Sequence, residues 1–164
     1  MMGSDWVIAI PSFDRLDTLK SKTLSLLHRG KVSPQRIHVF ADPKELGLYK
    51  SLEKDFPGLR VHQGSRGICE QRNAIMKYFN SGQPVVEMDD DIVDVEMTTT
   101  PSANCSEARL VTLEAGRLKD LIDLVWSFAK QHDCTFWGVS TSRNPWCMSH
   151  TAQVGLIKCT GQFQ

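Results

Sequence analysis

Three consecutive carboxylates, Asp89, Asp90 and Asp91, close the short run Val85-Val86-Glu87-Met88 and are followed by Ile92. Adjacent anions repel one another unless a cation, a basic side chain or solvent offsets them, and hard oxygen donors suit magnesium, manganese or calcium. Side chains alternate between the faces of a strand, so Asp89 and Asp91 are expected to project together as metal ligands while Asp90 faces away. The competing reading is a solvated acidic turn after a buried strand.

Three earlier apolar runs end in residues of related character: Pro11-Ser12-Phe13-Asp14-Arg15, Asp42-Pro43-Lys44-Glu45 and Gly64-Ser65-Arg66-Gly67. The last of these leads into a helical pattern, whose free N–H groups and positive dipole end favour phosphate, with Arg66 and Arg72 as paired donors and Glu70 opposing them. Taken alone, such a glycine loop is equally an ordinary turn.

The elements that must carry these loops follow from periodicity. Trp6 to Ile10, Arg36 to Ala41, Leu59 to His62 and Val85 to Met88 read as strands. Between them lie a helix with Leu16, Leu19, Thr23, Leu26 and Leu27 on one face, a short helix from Leu46 to Leu52, and a helix with Ile68, Ile75, Tyr78 and Phe79 inward. Strands alternating with helices predict a parallel sheet, with ligands beyond the carboxyl ends of its strands. The second half predicts a strand from Arg109 to Thr112, an amphipathic helix with Leu118, Leu121, Ile122, Val125 and Ala129 on one face, and strands at Phe136 to Ser140 and Val154 to Cys159. The polar stretch from Thr98 to Asn104 reads as a surface loop, and Val95 to Ser106 as a candidate flap over the site.

At 164 residues one domain, 1–164, accommodates all of this. The 19 basic and 19 acidic side chains cancel, so whole-molecule charge gives no reason to expect nucleic acid or anionic membrane. Five cysteines without a CxxC pair fit reduced thiols, which points to the cytoplasm, with the nucleus as the second choice. The apolar run near the N-terminus is too short for a signal core or membrane span. Trp126 and Trp137 are expected in the core, Trp146 as a lid or sugar platform, and His38 and His62 as partly buried, hydrogen-bonded strand residues. Cys69 is expected to be a packed thiol, and His150 is the sole late-loop histidine available as a metal ligand.

The strand followed by Pro11 to Arg15, then Gly67 with Arg72-Asn73, then Met88-Asp89-Asp90-Asp91, resembles in order and spacing the GT-A nucleotide-sugar glycosyltransferases, particularly those of family 2. The likeness covers roughly the first ninety residues. It implies a three-layer α/β/α, Rossmann-like GT-A domain with a mainly parallel central sheet. It also implies a nucleotide-sugar site of Pro11, Ser12, Arg15, Asp42, Arg66, Gly67, Arg72, Asn73, Asp89 and Asp90, and a manganese or magnesium ion on Asp89 and Asp91, with Asp89-Asp90-Asp91 as the family's DxD motif. The implied activity moves a sugar from a nucleoside diphosphate, preferably UDP, to a hydroxyl of a saccharide, a protein or a hydroxylated DNA base. A looser likeness, through Asp89 to Ile92 and Arg143-Asn144-Pro145-Trp146, is to glycosyltransferases found beside oxygenases that hydroxylate thymine or methylcytosine. GT-A domains usually continue past this length, and no catalytic base stands out among Asp94, Glu96, Glu107 and Glu114. A truncated or degenerate nucleotide-binding module is therefore the alternative expectation, and another doubly wound sheet, such as a phosphohydrolase, the alternative fold.

Overall fold

The apolar runs of the first half become four strands, β1 (Val7–Ser12), β2 (Ile37–Ala41), β3 (Arg60–Gln63) and β4 (Val85–Glu87), in a computed structural model that describes residues 5–98, 110–139 and 154. They form one sheet in the order β3-β2-β1-β4 with every pair parallel, which is an α/β arrangement of Rossmann-like type. Parallel pairing requires crossover connections, and these carry the helices: α1 (Leu16–Leu19), a π-helical turn (Lys20–Leu24), α2 (Ser25–Arg29), α3 (Leu46–Tyr49), α4 (Leu52–Asp55) and α5 (Ile68–Tyr78). β2 is buried at every residue, as a strand covered on both faces must be, whereas the edge strand β4 is half-buried throughout.

The core is made by the expected residues, with some shifts. Ile8, Ile10, Leu19, Leu24, Leu27, Val39 and Phe40 are almost fully enclosed, and Trp6 is buried with the Arg36 guanidinium 4.5 Å above its ring. Ala9, Phe40 and Ile75 form a cluster against which Phe79 and Val85 pack, so α5 lies on the sheet through Ile75. Its inner face is narrower than the periodicity implied: Ile68 is exposed, Tyr78 is half-exposed, and Gln71 is buried instead. The single helix expected from Leu46 to Leu52 is two short helices, with Tyr49 and Leu52 as their buried residues.

Contacts divide the chain into two compact units, residues 1–93 and 94–164. In the second unit, β5 (Glu96–Thr98) and β6 (Leu110–Thr112) pair antiparallel, and α6 (Leu118–Gln131) buries Leu118, Ile122 and Ala129. Three expectations for this half are corrected. Glu96 to Thr98, near the start of the flap expected from Val95 to Ser106, form a strand held by the β6 ladder; residues 99–106 lie outside the described residues. Phe136 to Val139 form no strand, and Phe136 is 88% exposed; among the described residues this apolar run pairs with no other strand. Trp126 and Trp137 are half-buried, and the Lys130 ammonium lies 5.5 Å from the Trp126 ring. The expected strand after Val154, the Arg143 to Trp146 segment, His150, Cys105, Cys147 and Cys159 also lie outside the described residues. Among the described residues no helix is long and apolar enough to cross a membrane.

Candidate functional site

The strand order makes β1 and β4 neighbours across the point where the sheet's winding reverses, and loops leaving carboxyl ends at such a point face a common crevice. β1 ends at Ser12, and the chain turns through Asp14, which holds a left-handed φ of 53° that aspartate tolerates better than most side chains. This turn sets Arg15 at the start of α1, facing the acidic residues after β4.

β4 itself stops at Glu87, and Met88 N–H donates to Ala9 O at 3.0 Å as the last rung beside β1. Asp89, Asp90 and Asp91 therefore lie beyond the strand, and the alternation expected for them does not apply. Asp90 is the buried member, 6% exposed, and it turns toward β1 instead of away. Ser12 Oγ donates to Asp90 Oδ2 at 2.6 Å. With the serine proton committed there, Tyr49 donates to Ser12 Oγ at 2.9 Å and accepts from Arg15 N–H at 3.2 Å. Burial raises the Tyr49 pKa against the opposing pull of Ser12, so the phenol keeps the proton that this chain of bonds requires.

Two arginines divide the remaining charge. Arg15 Nη1 donates to Asp91 Oδ2 at 3.1 Å and reaches Asp90 Oδ1 at 3.5 Å. Arg72, from the first half of α5, bonds Glu87 through Nη1 and donates from Nη2 to Asp89 Oδ1 at 3.0 Å. The Glu87 carboxyl is held above its ordinary range by burial first and by Asp89 as well, with Arg72 opposing.

Of the remaining expected residues, Asp42 is buried at the end of β2, where its Oδ1 accepts Lys44 N–H at 2.8 Å and closes the turn into α3. In the same turn Glu45 accepts Asp14 N–H at 2.9 Å, which ties the loop after β2 to the loop after β1. Pro11 lies within β1 opposite Phe40. Gly67, at φ 95°, caps α5 with the Glu70 carboxylate against it, and Arg66 beside it is exposed. Asn73 lines a shallow recess with Ser65, Glu70, Ala74 and Lys77, none of them in the acidic turn. Cys69 is exposed, so the expected packed thiol is corrected.

Sequence reasoning missed Tyr49 and Glu87, named Glu45 only within its strand-end segment, and read Thr23 only as part of a helix face. Thr23 is fully buried; its Oγ1 donates to Asp89 O at 2.8 Å and accepts Ile92 N–H at 2.9 Å. The available signal was a hydroxyl in an otherwise leucine stripe, since a buried hydroxyl needs partners.

Among the described residues no three His, Cys, Asp or Glu side chains converge as a ready-made metal cage. Magnesium and manganese, however, are commonly held by one or two carboxylates together with phosphate oxygens. Asp89 and Asp91 keep side chains that are 53% and 43% exposed, so their donor chemistry fits such an ion in company with a diphosphate.

No family model matches this chain, and no curated protein sequence does.

Proposed function

We propose that this chain is a GT-A-like, metal-dependent glycosyltransferase domain that takes a sugar from a nucleoside diphosphate, UDP in preference to GDP, and passes it to a hydroxyl acceptor. The observation that carries the reading is the meeting of the Ser12 to Arg15 turn with Asp90 and Asp91 at the switch point of the sheet. A phosphohydrolase would need its leading aspartate on β1, where this chain has Pro11-Ser12. The resemblance of the first ninety residues supports the three-layer form of the fold and the choice of UDP, and the free thiols Cys69 and Cys134 support a reducing compartment, cytoplasmic or nuclear.

Asp89 and Asp91 would hold manganese or magnesium, which when bound neutralises charge on the departing diphosphate. The chain's own residues supply the rest. Arg15 and Arg72, each able to present paired donors, release their carboxylates and take diphosphate oxygens. Ser12 and Tyr49 keep Asp90 oriented within the turn. Asp42, at the end of the neighbouring strand, lies on the nucleoside side.

Calorimetry with UDP and GDP in the presence of manganese tests this. UDP should bind, and Asp91→Ala should abolish or strongly weaken it; failure of both nucleotides, or binding indifferent to Asp91, would sink the reading. A second reading, a nucleotide-binding module without transfer, is favoured by one observation. Glu87, Asp89, Asp90 and Asp91 are all engaged by donors, so none stands ready as a base for the acceptor. Hydrolysis of donor sugar without acceptor separates the two, because a working site leaks water attack and a binding relic releases no sugar.

A further inference from the structure

The acidic turn has left the β4 ladder, and its backbone is gripped from behind by the first helix. Asp89 O and Ile92 N–H bracket the three carboxylates, and both are satisfied by the single hydroxyl of Thr23, at 2.8 and 2.9 Å. Six residues further on, Arg29 Nη2 donates to Val93 O at 2.9 Å, so the same helical segment holds the chain on leaving the turn. Thr23 lies within the π-helical turn between α1 and α2, a local widening that is frequent at functional sites. It is fully buried beside Leu19, Leu24 and Leu27, equally enclosed, so the hydroxyl is fixed by packing as well as by its bonds. Arg15, which pairs with Asp90 and Asp91, begins this helix. The carboxylates are thus set from both ends of one element.

We propose that Thr23 is the positioning residue of the nucleotide site: its hydroxyl fixes the conformation of the Asp89 to Asp91 turn in which those carboxylates accept a metal–diphosphate pair. This rests on the function proposed above. Thr23 touches neither metal nor nucleotide and acts only through the turn's backbone. Thr23→Val keeps the shape and removes both bonds, taking the hydroxyl from a part-buried carbonyl and N–H, whereas Thr23→Ser keeps both bonds and loses only a methyl.

The test compares wild type, Thr23→Val, Thr23→Ser and Leu26→Ala, the last a control that destabilises the same helical segment without touching the turn. Each is measured for manganese–UDP binding by calorimetry, thermal midpoint, and hydrogen exchange of the Ile92 amide. Thr23→Val should weaken binding about tenfold or more and speed Ile92 exchange. Thr23→Ser should restore both, and Leu26→Ala should lose thermal stability with binding intact. The inference is overturned if Thr23→Val binds like wild type, if its loss merely matches that of Leu26→Ala, or if Ile92 exchange is unchanged. Should wild type bind neither UDP nor GDP, the proposed function falls by itself. The clamp is then judged by Ile92 exchange alone, faster in Thr23→Val and restored in Thr23→Ser if it stands, alike in all three if it does not.

Discussion

Arg15 and Arg72 are half-exposed, and ion pairs of that kind contribute only about 0–1 kcal/mol each. Weak pairs exchange partners readily. On the proposed function, manganese alone must displace a guanidinium from each carboxylate, while a diphosphate gives the displaced guanidinium somewhere to go. Metal and nucleotide should therefore strengthen each other's binding by one common factor. Arg15→Gln is expected to bind manganese alone several-fold more tightly and UDP more weakly, with that factor reduced. Electron paramagnetic resonance of free manganese, with and without UDP, reads this directly, and weaker manganese binding by the variant would contradict it. At the same scale, Tyr49→Phe removes the donor to Ser12 and the acceptor for Arg15 N–H at a buried position, which should cost about 1–3 kcal/mol in urea unfolding. A loss well under that would mean the phenol is better hydrated than its burial implies.

Elements are joined by pairs that individual residues do not advertise. His38 on β2 and His62 on β3 are linked by an N···N hydrogen bond of 2.9 Å, with their rings stacked 5.0 Å apart and Phe40, Tyr78 and Phe79 around them. Such a bond needs an unprotonated nitrogen on one of the two rings, so charging both breaks it. Burial, then His62, then Arg60 lower the His38 pKa from 6.5 to about 4, and burial, Lys50 and Arg60 lower that of His62 while Glu53 opposes. Both folded values are depressed, so the unfolded chain binds more protons as the pH falls. The stability tied to His38 is present above pH 6.5 and is lost as the pH falls toward about 4. Urea midpoints at several pH values should show this loss, with a slope of up to about 1.4 kcal/mol per pH unit for one proton, and His38→Gln should flatten it. An unchanged slope in the variant would place the acid sensitivity elsewhere.

The loop between β3 and α5 depends on a similar hidden contact. A Cβ on Gly64 would meet Gln71 Oε1 at 2.0 Å, and the Gln71 amide bonds both Phe40 O and Ser65 N–H. Gly64→Ala should therefore displace a buried amide and destabilise the protein by about 1–3 kcal/mol, measured by urea unfolding. A neutral substitution would show that Gln71 can turn aside.

At the scale of the whole molecule the sheet order decides where chemistry is possible. β1 is bonded to both β2 and β4, so the loops after three strands reach one edge, and the site is assembled from residues 12 to 91 across the first unit. The charge balance adds nothing to this, since the cations and anions that matter are paired locally. Ile75 is the only α5 side chain in the cluster with Ala9 and Phe40. Ile75→Ala should cost about 2–5 kcal/mol and lower the urea midpoint with little change in slope, as expected for a cavity under the sheet.

The sequence by itself determined the parallel α/β plan of the first half, because strand and helix periodicities are local properties of short windows. Val7 to Ile10, Ile37 to Ala41 and the Leu19, Thr23, Leu27 face of the first helix were legible for that reason. It also marked Ser12, Arg15, Arg72 and the three aspartates by type and position after strands. Only the tertiary structure decided what each of them does. Asp90 turns inward because its partner Ser12 lies 78 positions away across the β1–β4 pair, Tyr49 joins them over 37 positions, and Thr23 reaches Ile92 over 69. Even the end of β4 was set this way: the ladder with β1 stops at Glu87, so the aspartates escape the alternation of a strand. Periodicity reports which face of its own element a residue occupies, whereas a hydrogen bond or ion pair across the sheet exists only once the order of the strands has put two distant elements side by side.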